Sequence, residues 1–132
     1  MPNRTALIRS LAALTFAGAV WGALAASRAG AADDAALERG RYLVQNVGMC
    51  VNCHGVNLRG ANLDFLAPGL PPAVARKAPR IAGLPQMTSA QAVHFFETGV
   101  LPNGKPARPP MPQFRLHADD ATAISAYLKS LP

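Results

Sequence analysis

Cysteine is nearly absent: Cys50 and Cys53 are the only two among 132 residues. A zinc ribbon needs a second ligand pair, so these two cannot build one. A disulfide between them would close a tiny loop and contribute little. A thioredoxin-like redox pair sits in a βαβ pattern, and none surrounds these cysteines. Tryptophan is scarcer still, with Trp21 alone. The longest apolar run, over residues 11–26, counts about 16 residues, short of the roughly 20 that span a bilayer. No stripe of basic residues interleaved with aromatics supports a nucleic-acid partner.

What the chain does have begins with its first 31 residues, which read as an export signal. Arg4 and Arg9 give a basic start. The apolar run follows, broken only by small residues and Thr15, and Ala23-Leu24-Ala25 and Ala29-Gly30-Ala31 both fit the small-residue cleavage pattern. Cleavage after Ala31 is favoured, because the acidic Asp33-Asp34 pair begins just beyond it; left uncleaved, the same stretch is an anchor in the inner membrane. Cleavage leaves 101 of the 132 residues, one domain over residues 32–132. Arg4, Arg9 and Arg28 go with the signal, so ten basic residues face seven acidic ones and the net charge falls from +6 to +3. The mature part holds two Tyr and four Phe and no Trp, thin for a core of this size.

The most specific stretch is Cys50-Val51-Asn52-Cys53-His54. This C-x-x-C-H run has the spacing of a c-type haem attachment site. Two intervening residues let one turn of chain present both sulfurs to one porphyrin edge, where they add across two vinyl groups as thioethers. The imidazole of His54, following at once, can turn under the ring and bind iron from one face. One haem c per chain, covalently held, is the expected cofactor, and its burial would supply the missing apolar volume.

Three helices are legible around this motif. Asp33 or Asp34 can cap the first, with Glu38 in its early turns. Leu37, Gly40, Val44 and Val47 fall on one face at helical spacing. Gly40 weakens a helix relative to Ala; close approach of another helix is a physical reason for it, an ordinary weak spot the plain alternative. Gly48 ends the helix. Thr88-Ser89-Ala90-Gln91 is a capping box opening the second helix, with Ala92, Val93, Phe96 and Val100 as its apolar stripe, Gly99 at its end and His94 and Phe95 partly off the stripe. Asp119 and Asp120 open the third, whose face is Ala121, Ile124, Tyr127, Leu128 and Leu131, with Lys129 in its last turn.

Between these helices lie stiff loops. Ten of the twelve prolines fall between Pro68 and Pro112, which cannot be mostly helix or central strand and suits loops wrapped around a flat cofactor. Gly55 and Gly60 signal a loop after His54, and residues 57–66 have no clear period. Met111 stands between Pro110 and Pro112. Its thioether is a soft donor suited to haem iron, and a methionine that merely fills a gap rarely sits in so stiff a setting. Met49 adjoins Cys50, and Met87 has only Pro85 as a stiffener. His94 and His117 are the histidines next in line as ligands, with a plain surface or core role as the alternative for His94.

On these residues the chain resembles the class I, mitochondrial-type cytochromes c of the bacterial single-haem kind. The matching pieces are the helix carrying Gly40, the Cys50–His54 motif, Thr98-Gly99, Met111-Pro112 and Ala126-Tyr127-Leu128-Lys129-Ser130-Leu131. The resemblance implies an all-α cytochrome c fold, three to five short helices and proline-rich loops around one covalent haem. It implies a crossing of the first and last helices, with Gly40 against the face bearing Tyr127. It also implies His54 and Met111 as the two axial iron ligands, and a loop-proline carbonyl holding the proximal imidazole, for which Pro79 is the best candidate.

The expected function is a periplasmic one-electron carrier, not an enzyme, taking electrons from a dehydrogenase and passing them to an oxidase or another cytochrome. Lys77, Arg80, Lys105 and Arg108 can steer an acidic partner, or be a plain solvated face. No nucleic acid is expected, and the membrane only if the N-terminal segment is retained. An alternative is a cytochrome subunit held within a periplasmic dehydrogenase complex, which the surroundings of Arg39-Gly40-Arg41-Tyr42-Leu43-Val44 also resemble. A ligand-binding haem sensor or small peroxidase needs an open sixth position, against which Met111 argues, and a single C-x-x-C-H excludes a two-haem peroxidase.

Overall fold

The computed structural model describes residues 33–132. The signal or anchor read over residues 1–31 lies outside them. Helix α1 runs through residues 33–42 and passes directly into a π-helical turn, Leu43–Val47. Asp33 and Asp34 are therefore already helical rather than capping residues ahead of the helix. A short α2, Val51–His54, carries the second cysteine and the histidine. Two two-residue strands, β1 (Ala61–Asn62) and β2 (Lys77–Ala78), pair antiparallel with Ala61 opposite Ala78. Helices α3 (Ser89–Thr98) and α4 (Ala118–Ser130) complete the order. The described chain is mostly helix and proline-rich loop, as expected of an all-α fold, and none of its helices is long and apolar enough to cross a membrane.

The π turn changes the face of the first helix. Gly40 is buried and Val44 is fully so, but Val47 is 58% exposed, off the face on which helical spacing put it. In a π turn each hydrogen bond reaches five residues instead of four. Residues beyond it are therefore carried around the axis, and the i+3, i+4 count fails after Val44. The turn closes with Gly48 N–H donating to Leu43 O (2.7 Å) and Cys50 N–H to Val44 O (2.9 Å). Gly48 keeps right-handed backbone angles, and it is Met49 that takes a positive φ of 47°. The chain thereby swings from α1 into the cysteine-bearing turn within two residues.

Helix α1 meets α4 at Gly40. A Cβ there would lie 2.7 Å from both the carbonyl carbon of Ala123 and the Cβ of Tyr127, so no side chain fits. Around this contact Arg39 pairs with Asp120 (2.6 Å), and Gln45 Nε2 donates to the Tyr127 hydroxyl (2.9 Å). Helix α3 opens on the expected capping box, with Thr88 Oγ1 accepting from Gln91 N–H and Gln91 Oε1 from Thr88 N–H. Its buried residues are Ala92, Phe95 and Phe96. Phe95, placed at the edge of the stripe by spacing, belongs to the core. It packs on Phe96 with centroids 5.3 Å apart, and Phe96 on Phe114 at 6.1 Å, tilted geometries favoured by aromatic quadrupoles. From α4, Ala121, Ile124 and Leu128 join the same cluster as Val44 and these rings. The loop over residues 81–84 is tied to the end of α4 by Gly83 N–H to Leu128 O (2.8 Å).

Candidate haem site

Cys50 opens one turn of helix. His54 N–H donates to Cys50 O at 2.8 Å, and Cys53 N–H to the same oxygen at 3.3 Å. This single turn sets both sulfurs on one wall of an apolar cleft. Both thiols are unpaired and half-buried. Burial pushes the Cys50 thiol above its ordinary value, a bond from its own backbone N–H and the neighbouring Cys53 being lesser influences.

The cleft has two connected parts, one of about 430 Å³ and one of about 80 Å³. Cys53, His54, Met87, Phe95 and Met111 line both parts, Cys50 lines the smaller and Pro79 the larger. The larger part alone falls in the size range of pockets that hold a cofactor, 300 to about 1,000 Å³. Its walls are chiefly aliphatic, with the ring of Phe95 among them. A broad, flat, apolar ring with a metal at its centre fits the volume, the walls and the donor set. A bare divalent ion would not need such walls.

His54 is 5% exposed, and its Nδ1 lies 2.8 Å from the carbonyl oxygen of Pro79. A carbonyl only accepts, so Nδ1 carries the proton and donates. The other ring nitrogen, Nε2, then keeps its lone pair for a metal, and the ring plane is fixed. The acceptor is delivered by the small sheet. Pro79 follows β2, β2 pairs with β1, and β1 follows Gly60, whose φ is 94°. A Cβ on Gly60 would lie 2.8 Å from Ala78 O and 3.1 Å from the carbonyl carbon of Pro79. Gly60 N–H in turn donates to His54 O at 2.8 Å. Residues 57–66, where no period was legible, thus hold the histidine through the Gly60 backbone, directly at His54 O and indirectly through the strand pair that delivers Pro79.

Met111 is half-buried on the cleft, in a turn closed by its own N–H donating to Arg108 O (3.1 Å). Met87 is half-buried there too, so the structure brings both methionines to one cavity. Met49 reaches only the smaller part and is 51% exposed. His94 and His117 are exposed and line neither part. Lys77 and Arg108 reach the rim of the larger part, Lys105 is exposed, and Arg80 is half-buried with its Nε donating to Ala82 O at 2.8 Å. Sequence spacing missed Phe95, Ile81 and Gln86 as cleft residues. For Phe95 the signal was its ring beside Phe96; for the two loop residues there was none, because loops have no period.

No match was found among curated proteins or among solved structures. The family model described as Cytochrome c matches residues 37–132, nearly all of the described chain. Members of that family carry covalently attached haem c and transfer electrons through it, and the cysteine spacing such attachment needs is present at Cys50 and Cys53. A fold of helices and proline-rich loops, a cleft sized for a flat cofactor and a match over 96 residues lead to one assignment: this chain belongs to the cytochrome c family.

Proposed function

We propose that this protein is a periplasmic one-electron carrier in which Cys50 and Cys53 tether the haem and His54 and Met111 are its two axial ligands. The observation that carries this reading is the bond from His54 Nδ1 to Pro79 O on a cleft that Met111 also lines. The haem, when bound, supplies an iron that alternates between ferrous and ferric.

The chain's own residues account for the rest. The Pro79 carbonyl holds the imidazole in the tautomer whose Nε2 can bind a metal, and strengthens its donation to that metal. Met111 offers a soft thioether, and a methionine–histidine pair favours the reduced metal and a high potential. The prolines on either side of Met111 limit the conformations it loses on binding. Phe95, Ile81 and Leu101 keep water from the cleft, which tunes the potential further. Export through residues 1–31, with a dehydrogenase as donor and an oxidase or other cytochrome as acceptor, completes the proposal. Such partners meet over small interfaces.

The test uses purified holoprotein. Haem should stay with the chain through denaturation and acidic extraction, a potentiometric titration should follow a one-electron curve, and the ferrous protein should not bind carbon monoxide. Ready carbon monoxide binding would mean an open sixth position, and a sensor in place of a carrier. Co-purification with a catalytic subunit would mean a complex subunit in place of a free carrier.

A further inference from the structure

We propose that Arg108 is a positioning residue for the Met111 thioether, latching the segment over residues 72–75 onto the turn that carries the methionine. The inference rests on the reading of Met111 as an axial ligand. Four observations converge on it. The backbone carbonyl of Arg108 accepts from Met111 N–H at 3.1 Å, closing the turn. The guanidinium of the same residue donates to three consecutive carbonyls, those of Pro72, Ala73 (3.1 Å) and Val74 (3.4 Å). The next residue of that segment returns the contact, with Ala75 N–H donating to Pro109 O at 2.7 Å. Ala75 and Arg108 both line the larger part of the cleft.

Geometry makes Arg108 suited to this and lysine unsuited. Its planar fork presents five N–H donors in fixed directions and can serve several carbonyls at once, whereas an ammonium is a point charge on a flexible stem. The segment over residues 71–75 contains two prolines and lies in no helix or strand, and its other backbone hydrogen bond among the described residues is internal, from Val74 N–H to Pro71 O at 2.9 Å. Without the latch, the turn over residues 108–111 loses its far anchor, and the thioether is freer to leave the metal. Arg108 thus acts on the ligand through the backbone and does not itself touch the iron.

The test is imidazole titration of the ferric holoprotein, following loss of the near-infrared sulfur-to-iron absorption as the thioether is displaced. Arg108→Ala should bind imidazole about tenfold more tightly than the parent, a change the size of one or two lost hydrogen bonds. Arg115→Ala is the charge control. Among the described residues its guanidinium bonds only to its neighbours Phe114 and Gln113, and the parent affinity is expected. Tyr127→Phe is the stability control. It loses the Gln45 bond at the helix contact and should lower global stability at unchanged imidazole affinity. Arg108→Lys, which serves if the alanine variant yields no holoprotein, should fall between parent and alanine. Parental affinity in Arg108→Ala, or in Arg108→Lys where only that variant folds, overturns the latch, as does an equal rise in Arg115→Ala. Met111→Ala separates this from the underlying reading: if the absorption survives in it, both fall, and if it vanishes while Arg108→Ala behaves as the parent, only the latch falls.

Discussion

One ring nitrogen of His54 is engaged by the Pro79 carbonyl, and the residue that lets that carbonyl approach is Gly60. Its φ of 94° and its contacts leave no room for a Cβ beside Ala78 and Pro79. Gly60→Ala should therefore destabilise the fold by about 1–3 kcal/mol, from backbone strain and forced displacement together. It should also raise the reduction potential, because with Pro79 O pushed off the imidazole the ring donates less to the metal and stabilises the ferric form less. Gly69→Ala is the matched comparison: φ is positive there too, at 76°, but nothing lies within 4 Å, so it should show strain alone and an unchanged potential. Thermal unfolding and a redox titration of both variants decide this, and a normal potential in Gly60→Ala would count against the Pro79 contact. The cysteine spacing that haem attachment needs was legible because it lies in consecutive residues, Cys50 to Cys53. Gly60 read only as loop punctuation, because its role depends on a strand 17 residues away in sequence.

Among the elements, the contact of α1 with α4 was the most legible and the π turn the least. A glycine on the apolar face of a short helix has few reasons to exist, and the meeting with Tyr127 is one of them. Gly40→Leu should cost about 1–3 kcal/mol, seen as a Tm lower by about 4–8 °C for each kcal/mol. The obstacle is the Ala123 backbone rather than a movable side-chain tip, so the upper end is expected. A Tm equal to the parent's would mean that the two helices do not meet there. The π turn escaped because the apolar spacing up to Val44 is the same for either helix. Only the exposure of Val47 tells them apart, and exposure is not written in one sequence. The pairing of β1 with β2 escaped for a similar reason: two residues per strand cannot display a period. Capping boxes and end stripes were legible because they are local, as α3 and α4 illustrate.

Over the whole molecule, helices at the two ends of the match form a frame, and the loops between them line the cleft. Basic groups gather unevenly along that lining. Lys77 and Arg108 reach its rim, and Arg108 has its donors engaged with three carbonyls, which leaves Lys77 the freer cation. If an acidic partner docks there, electron-transfer rates should fall as salt rises, the Debye length shrinking from about 10 Å at 0.1 M to 3 Å at 1 M. Lys77→Glu should reduce the low-salt rate further, and flash-initiated kinetics against salt would measure both; a salt-independent rate would remove steering from the account. The central claim is the ligand pair itself, and structure sharpened it by bringing Met87 as well as Met111 to the cleft. The most direct measurement is the near-infrared absorption of the ferric holoprotein in Met111→Ala and in Met87→Ala. The account predicts that the sulfur-to-iron band is lost in Met111→Ala, with carbon monoxide then binding the ferrous form and the potential lowered, and that Met87→Ala keeps all three properties of the parent. A band that survives in Met111→Ala and disappears in Met87→Ala would contradict it.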